Sequence, residues 1–200
     1  MDKKKVAMVM GNNVLYPGVY VYDKFTGVNG TSLDAHILDK PKSALWSEAV
    51  GVWDIQSNQA NVVSITSYAL AAVESYKADC TLSVILKTVI TADNPGLVMR
   101  YIDTNNYLVA YLSNGANTVG LVKKVAGTLT IVLANANESL PVTDGNDYVM
   151  EVVLLGNTIK IYIDGALQIN TTCDNHLTAT KHGIYSEKAL AKFDEFQVSR

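Results

Sequence analysis

Thr158-Ile159-Lys160-Ile161-Tyr162-Ile163-Asp164-Gly165-Ala166-Leu167-Gln168-Ile169-Asn170-Thr171 reads as a β-hairpin. Successive side chains of an extended chain point to opposite faces. The three isoleucines therefore share one face, and Lys160 and Tyr162 share the other. Asp164-Gly165 separates the two runs, and this residue pair suits the positive φ angles of a two-residue hairpin turn.

The same pattern extends in both directions. Val19–Phe25, Tyr68–Val73, Thr81–Ile90, Gly96–Asp103, Asn106–Ser113, Thr118–Val125 and Thr128–Ala134 are rich in β-branched, aromatic and aliphatic residues, and so are Tyr148–Leu155, Gly183–Glu187 and Ala191–Val198. Such runs fit pleated, half-buried surfaces. Asp103-Thr104-Asn105-Asn106, Ser113-Asn114-Gly115, Ala126-Gly127, Thr143-Asp144-Gly145-Asn146 and Gly156-Asn157 lie between them and supply the turns. In Tyr107–Ser113, one face holds Tyr107, Val109 and Tyr111, and the other holds Leu108, Ala110 and Leu112. In Gly127–Leu133, Leu129, Ile131 and Leu133 form the expected core face. Ala69–Ser75 and Ser186–Lys192 have helix-forming composition for a turn or two, but their β-branched and aromatic neighbours assign them to strand or loop. Many short strands at roughly 8–12-residue spacing predict an all-β, antiparallel two-sheet sandwich.

Composition excludes several other classes. A chain of 200 residues is the size of one domain and can bury about 70% of its unfolded surface. The formal net charge of −3 leaves no basic excess for nucleic acid. No apolar run reaches the roughly 18–20 residues of a membrane span. Two cysteines cannot staple a disulfide scaffold.

The first residues differ from the rest. Met1-Asp2-Lys3-Lys4-Lys5 precedes Val6–Met10, and Gly11-Asn12-Asn13 ends the apolar run. Five apolar residues are too few for the roughly 7–15 of a signal-peptide core. The expectation is therefore synthesis in a reducing cytoplasm, with Cys80 and Cys173 as free thiols; one long-loop disulfide between them is the alternative. Residues 1–18 read as an arm and residues 19–200 as the sandwich. Val6, Met8, Met10, Val14, Leu15 and Tyr16 make the arm apolar enough to dock on its own chain or on a neighbour.

Four stretches carry a family resemblance. They are Tyr22-Asp23-Lys24-Phe25, Trp53-Asp54-Ile55, Arg100-Tyr101-Ile102-Asp103-Thr104-Asn105-Asn106-Tyr107, and Gly183-Ile184-Tyr185 with Phe193-Asp194-Glu195-Phe196-Gln197-Val198. In this order they resemble the concanavalin A-like lectin/glucanase superfamily, in particular the laminin-G-like jelly-roll modules of phage and bacterial surface proteins. The resemblance spans about residues 19–200. It implies a jelly roll whose last strand returns beside the first, with Trp46, Trp53, Phe193 and Phe196 between sheets ~10 Å apart. It also implies that Asp23 and Asp194 are neighbours, which could begin a structural calcium site.

Candidate chemistry follows from that frame. Glycosidases of the superfamily place carboxylates on alternate positions of one strand, about 5–5.5 Å apart for a retaining pair. Glu151 stands alone on its strand, and Asp194 and Glu195 are adjacent, so the expectation is no enzyme. Arg100, Asn105, Asn106, Tyr107, Tyr111 and Tyr162 form a candidate carbohydrate-binding set, because aromatic rings stack on sugars and planar polar groups bond hydroxyls. The alternative is an ordinary sheet exterior. The sequons at Asn29, Asn137 and Asn170 matter only in a secretory context.

Two functional readings result. The first is a non-catalytic structural or display component of a multi-subunit particle, such as a phage virion decoration or tail-associated protein at the virion surface. Its partners would be other protein subunits, a second copy of the chain among them. The second is a soluble lectin module. Neither involves nucleic acid, a membrane span, or a cofactor beyond the calcium noted above.

Overall fold

The computed structural model describes residues 8–10, 13–15, 18–88, 93–113, 115–136 and 142–200, with backbone alone for 8–10, 13–15 and 136. The expected arm residues Val6 and Tyr16, the turn residue Asn114, the end of the expected strand at Val89-Ile90 and the Asn137 sequon lie outside these residues. The described strands are β1 (Met8–Met10), β2 (Asn13–Leu15), β3 (Val19–Asp23), β4 (Ser47–Val50), β5 (Val52–Gln56), β6 (Gln59–Ser64), β7 (Ala69–Glu74), β8 (Cys80–Lys87), β9 (Gly96–Asp103), β10 (Asn106–Ser113), β11 (Thr118–Val125), β12 (Thr128–Ala136), β13 (Asp147–Leu155), β14 (Thr158–Ile163), β15 (Ala166–Thr172), β16 (Lys181–Ser186) and β17 (Lys192–Ser199). One 3₁₀ turn covers Leu33–Ala35.

Two antiparallel sheets pack face to face. One runs β12-β11-β10-β9-β16-β7-β4, and the other runs β15-β14-β13-β8-β17-β6-β5 with β3 also on β17. β17 pairs with β8 along one side; on its other side Lys192-Phe193 meet β6 and Phe196–Ser199 meet β3. The last strand therefore returns beside the first. Two of the predicted turns show the φ angles that their residues suit. Asp164 and Gly165 both have positive φ, +49° and +80°, and Ala126-Gly127 does the same between β11 and β12. Positive φ at both central residues is the requirement of the tight hairpin turn whose twist matches the strands.

The core lies between the sheets. Trp46, Trp53, Phe193 and Phe196 are all buried in it, with Ile159, Ile161 and Ile163 from one sheet and Leu108, Ala110 and Leu112 from the other. Trp46 meets Phe196 edge-on with centroids 5.0 Å apart, and Trp53 lies 5.8 Å from Phe193. Asp23 explains why the opening strand needs its acid. Its buried carboxylate accepts hydrogen bonds from the Phe25 N–H at 2.8 Å and the Trp46 Nε1–H at 2.7 Å, and pairs with His36 Nε2 at 2.9 Å. A buried carboxylate is tolerated when its lone pairs are filled in this way.

Two expectations about faces are corrected. Leu129, Ile131 and Leu133 are 52%, 64% and 40% exposed, not core. β12 is an edge strand, and a register shift opposite Leu121/Val122 turns Val132 towards the core. β17 carries a positive-φ residue, Glu195 at +51°, where its register with β8 shifts, which interrupts the alternation expected for Asp194 and Glu195. Cys80 and Cys173 are both free and buried.

A tyrosine trough as candidate functional site

The outer face of the seven-stranded sheet has its own apolar cluster. Leu70, Ala72, Val98, Tyr107, Val109, Val122 and Tyr185 are buried there, with Tyr68, Tyr101 and Tyr111 packed against them. The strand register arranges these residues in three rows. The middle row reads Ile131, Val122, Val109, Val98, Gly183, Ala72 across the sheet, and its sheet-centre positions are small or branched. One flanking row reads Gly120, Tyr111, Gly96, Tyr185, Leu70. The other places Leu129, Lys124 and Tyr107 in line, with Tyr101 opposite Lys181. Rows two residues apart lie ~7 Å apart along a strand. The result is a low floor between two lines of tyrosines.

Tyr68 crosses from one line to the other. It precedes β7, and its ring centroid is 5.6 Å from that of Tyr185 and 6.4 Å from that of Tyr107. Tyr101 stacks on Tyr107 at 6.3 Å. The Lys124 ammonium sits 5.4 Å above the Tyr68 ring and 5.5 Å above the Tyr107 ring, a cation–π geometry. Gly120 sets the pose of Tyr111. A Cβ at position 120 would lie 2.2 Å from Tyr111 Cζ, so the ring lies over the glycine and along the sheet. A ring lying down in this way presents its face, the part that an apolar sugar face can cover.

The trough separates contact from support. Tyr107 and Tyr185 are only 2% and 5% exposed, whereas Tyr68, Tyr101 and Tyr111 are half-exposed. Burial pushes the phenols of Tyr101, Tyr107, Tyr111 and Tyr185 up, and for Tyr107 the adjacent Tyr68 hydroxyl adds to it. All four stay protonated at neutral pH and can both donate and accept. The Tyr185 hydroxyl donates to Glu187 at 3.1 Å.

The predicted set divides accordingly. Tyr107 and Tyr111 lie in the trough, Tyr107 as a support. Tyr162 does not: it is on β14, paired with Glu151 and Leu167 in the other sheet. Asn105 and Asn106 build the β9–β10 tip. Asn106 Nδ2 donates to both Asp103 oxygens at 3.0 and 3.1 Å, its Oδ1 accepts the Ala126 N–H, and the Asn105 N–H donates to Asp103 at 2.7 Å. These donors hold the Asp103 carboxyl below its usual range.

Arg100 is the clearest correction, because it is fully buried. It has φ +49° at an irregularity where Gly183 pairs with Val98 but Lys181 pairs with Tyr101. That bulge takes the guanidinium away from the tyrosine face. Its Nη2 donates to the Gly156 carbonyl at 2.6 Å and lies 3.4 Å from Asp79, while Nε and Nη1 have no partner among the described residues. Its backbone N–H donates to His182 Nδ1 at 3.2 Å, and His182 Nε2 bonds the Lys77 carbonyl at 2.7 Å. Burial, against the pull of that carbonyl bond, holds His182 down at about 4, and the same burial pushes the Cys80 thiol up to about 12. Neither is an activated group.

The calcium pair is also divided. Asp23 accepts from Phe25 and Trp46 and faces Phe196 on β17, not Asp194, whose own Oδ1 accepts the Glu195 N–H. Among the described residues no three His, Cys, Asp or Glu side chains converge as a metal cluster. None of their helices is long and apolar enough to cross a membrane.

Comparison with solved structures fits this architecture. A carbohydrate-binding module of group 66 from Bacillus subtilis superposes with a TM-score of 0.67 at 17% identity, covering 78% of this chain and 95% of that one. The fold is that of the concanavalin A-like lectins and glucanases. The exoplasmic/lumenal domain of VIP36, in a form bound to Ca²⁺ and mannose, shares the concanavalin A-like fold with a TM-score of 0.56 at 8% identity, covering 78% of this chain and 82% of that one. A family-43 glycoside hydrolase protein from Bacillus licheniformis matches with a TM-score of 0.61 at 15% identity; the match covers all of this chain but 40% of that one. No protein-family model matches the chain, and no curated protein matches it in sequence.

Sequence reasoning missed Tyr68, Tyr101 and Tyr185. Gly183-Ile184-Tyr185 held a usable signal, since a residue two places from a floor glycine shares its face. Tyr101 was hidden by the bulge at Arg100, and Tyr68 reaches the face from outside any strand.

Proposed function

We propose that this chain is a non-catalytic carbohydrate-binding module and that the tyrosine trough holds the glycan. The observation that carries the reading is the convergence of Tyr68, Tyr101 and Tyr111 as accessible rings around one small-residue floor. Apolar ring faces, with hydroxyls and an ammonium at their edges, suit a ligand that is itself apolar on its faces and polar on its rim. The likeness in fold to a carbohydrate-binding module and to a mannose-bound lumenal domain supports it.

Screening on a glycan array, followed by calorimetry on the best ligand, tests this. Tyr111→Ala and Tyr68→Ala are each expected to weaken binding about tenfold or more, ~1.4 kcal/mol. Tyr162→Ala, on the opposite sheet, should leave affinity unchanged. Absence of saturable binding, or equal loss in all three variants, would refute the reading.

A second reading concerns the arm. Among the described residues β1 pairs with β2 alone, Met8 opposite Leu15, and joins neither sheet. This favours an adaptor that seats the sandwich on another subunit of a particle, as in a virion surface protein. Deleting residues 1–18 should then abolish assembly and leave the sandwich folded. Full incorporation of the truncated protein would exclude it.

A further inference from the structure

The line formed by Tyr107 and Tyr101 continues past Tyr101. Lys181 on β16 stands opposite Tyr101, and Glu74 on β7 stands opposite Lys181. Both lie on the trough's side of the sheet, because Gly183 and Ala72, two residues along each strand, form its floor. Glu74 also lines a cavity of about 170 Å³, whose other walls include Tyr20, Pro41, Leu45 and Tyr76. The cavity lies beyond β7, where the chain approaches β4. Tyr76 is 81% exposed and Leu45 57%, so the wall carries an accessible ring and an accessible aliphatic side chain. The Tyr76 N–H donates to Glu74 Oε1 at 2.8 Å, with the residue at φ +58°. The exposed ring therefore stands on a turn pinned to the acid beside it. The Lys77 ammonium lies 4.8 Å above the Tyr20 ring.

We propose that this cavity is an end subsite of the trough, which takes the terminal unit of a neutral oligosaccharide whose next units lie along Lys181 and Tyr101. The inference rests on the carbohydrate reading and adds the length and charge of the glycan. Length follows from the strand order. Three strand spacings separate Tyr107 on β10 from Glu74 on β7, ~14 Å in all, and the cavity lies beyond. A ligand that reaches from the tyrosines into the cavity is therefore a chain of several sugars. Charge follows from the wall, where Glu74 is the one charged residue among those described. With Oε1 engaged by the Tyr76 N–H, its Oε2 can accept a sugar hydroxyl, and the same carboxylate repels an acidic sugar. The Tyr76 ring covers an apolar sugar face.

Calorimetry on the full chain tests this with the neutral pentasaccharide that binds best on a glycan array and with the disaccharide of the same linkage. The pentasaccharide should bind at least tenfold more tightly. Tyr76→Gly removes the ring and accepts a positive φ freely, so it should fold, and it should bring the pentasaccharide down to the affinity of the disaccharide. Tyr68→Ala, in the trough itself, should weaken both lengths. Equal affinity for the two lengths, or undiminished pentasaccharide binding by Tyr76→Gly, would overturn the end subsite and leave the trough standing. A preference of the array for acidic oligosaccharides would overturn its neutral assignment. Binding of neither length would overturn the carbohydrate reading, and the end subsite with it.

Discussion

Acidification should destabilise this sandwich through His182, by an amount that can be worked out. His182 must accept the Arg100 backbone N–H on Nδ1 while Nε2 bonds the Lys77 carbonyl, so only the Nε2–H tautomer satisfies both. A second proton, on Nδ1, would point at the Arg100 N–H donor and add a charge beside a buried guanidinium. With the folded value near 4 against the usual 6.5, the unfolded chain binds more protons between those pH values. Stability is therefore fully present above 6.5 and falls as the pH drops towards 4. At pH 4.5 the loss is about 2.5 kcal/mol relative to pH 7. Asp93 acts in the opposite direction. Its folded value, near 6, exceeds the unfolded 3.8, so acidification through 6 returns about 2 kcal/mol by pH 4.5. These two contributions nearly cancel between pH 7 and pH 4.5. Urea unfolding at both pH values, with chelator present, should show His182→Asn losing about 2.5 kcal/mol less than wild type on acidification. An equal loss in both proteins, or an NMR titration of His182 near 6.5, would refute the reasoning.

Three further outcomes are expected. Asp23→Asn removes the charged acceptor shared by Phe25, Trp46 and His36, and chemical denaturation should show about 3 kcal/mol of lost stability. Gly120→Ala places a Cβ inside the Tyr111 ring position, so glycan affinity should fall as far as in Tyr111→Ala while far-UV circular dichroism stays unchanged. Ile131→Lys lies on an exposed edge and should change the unfolding free energy by less than about 0.5 kcal/mol.

The sandwich was legible because alternation and turn chemistry are local. Asp164-Gly165 needs only its own φ angles, and Ile159–Ile163 need only a period of two. What alternation cannot report is whether a strand has a neighbour on each side. Leu129 and Ile131 share a face as read, but it is the outer face of the sheet, and at edge strand β12 nothing beyond covers it. Nor can it report an inserted residue. One irregularity at Arg100 was enough to bury a side chain assigned to the surface and to conceal Tyr101. The trough itself joins residues from β9, β10, β11, β16 and the segment before β7. Their convergence depends on strand order, and no spacing along the chain encodes it.

The divided pairing of β17 has a consequence for the order of folding. Its eight residues bond to β8 on one side and to both β6 and β3 on the other, so three earlier strands meet only through it. Until residue 192 emerges from the ribosome, β3 and the β5–β6 hairpin have no route into their sheet, and Trp46 and Trp53 lack their aromatic partners Phe196 and Phe193. Such long-range closure slows folding to the millisecond-to-second range typical of non-local β topologies. Closure of this sheet therefore waits on β17, and β3 and the β5–β6 hairpin dock together with it.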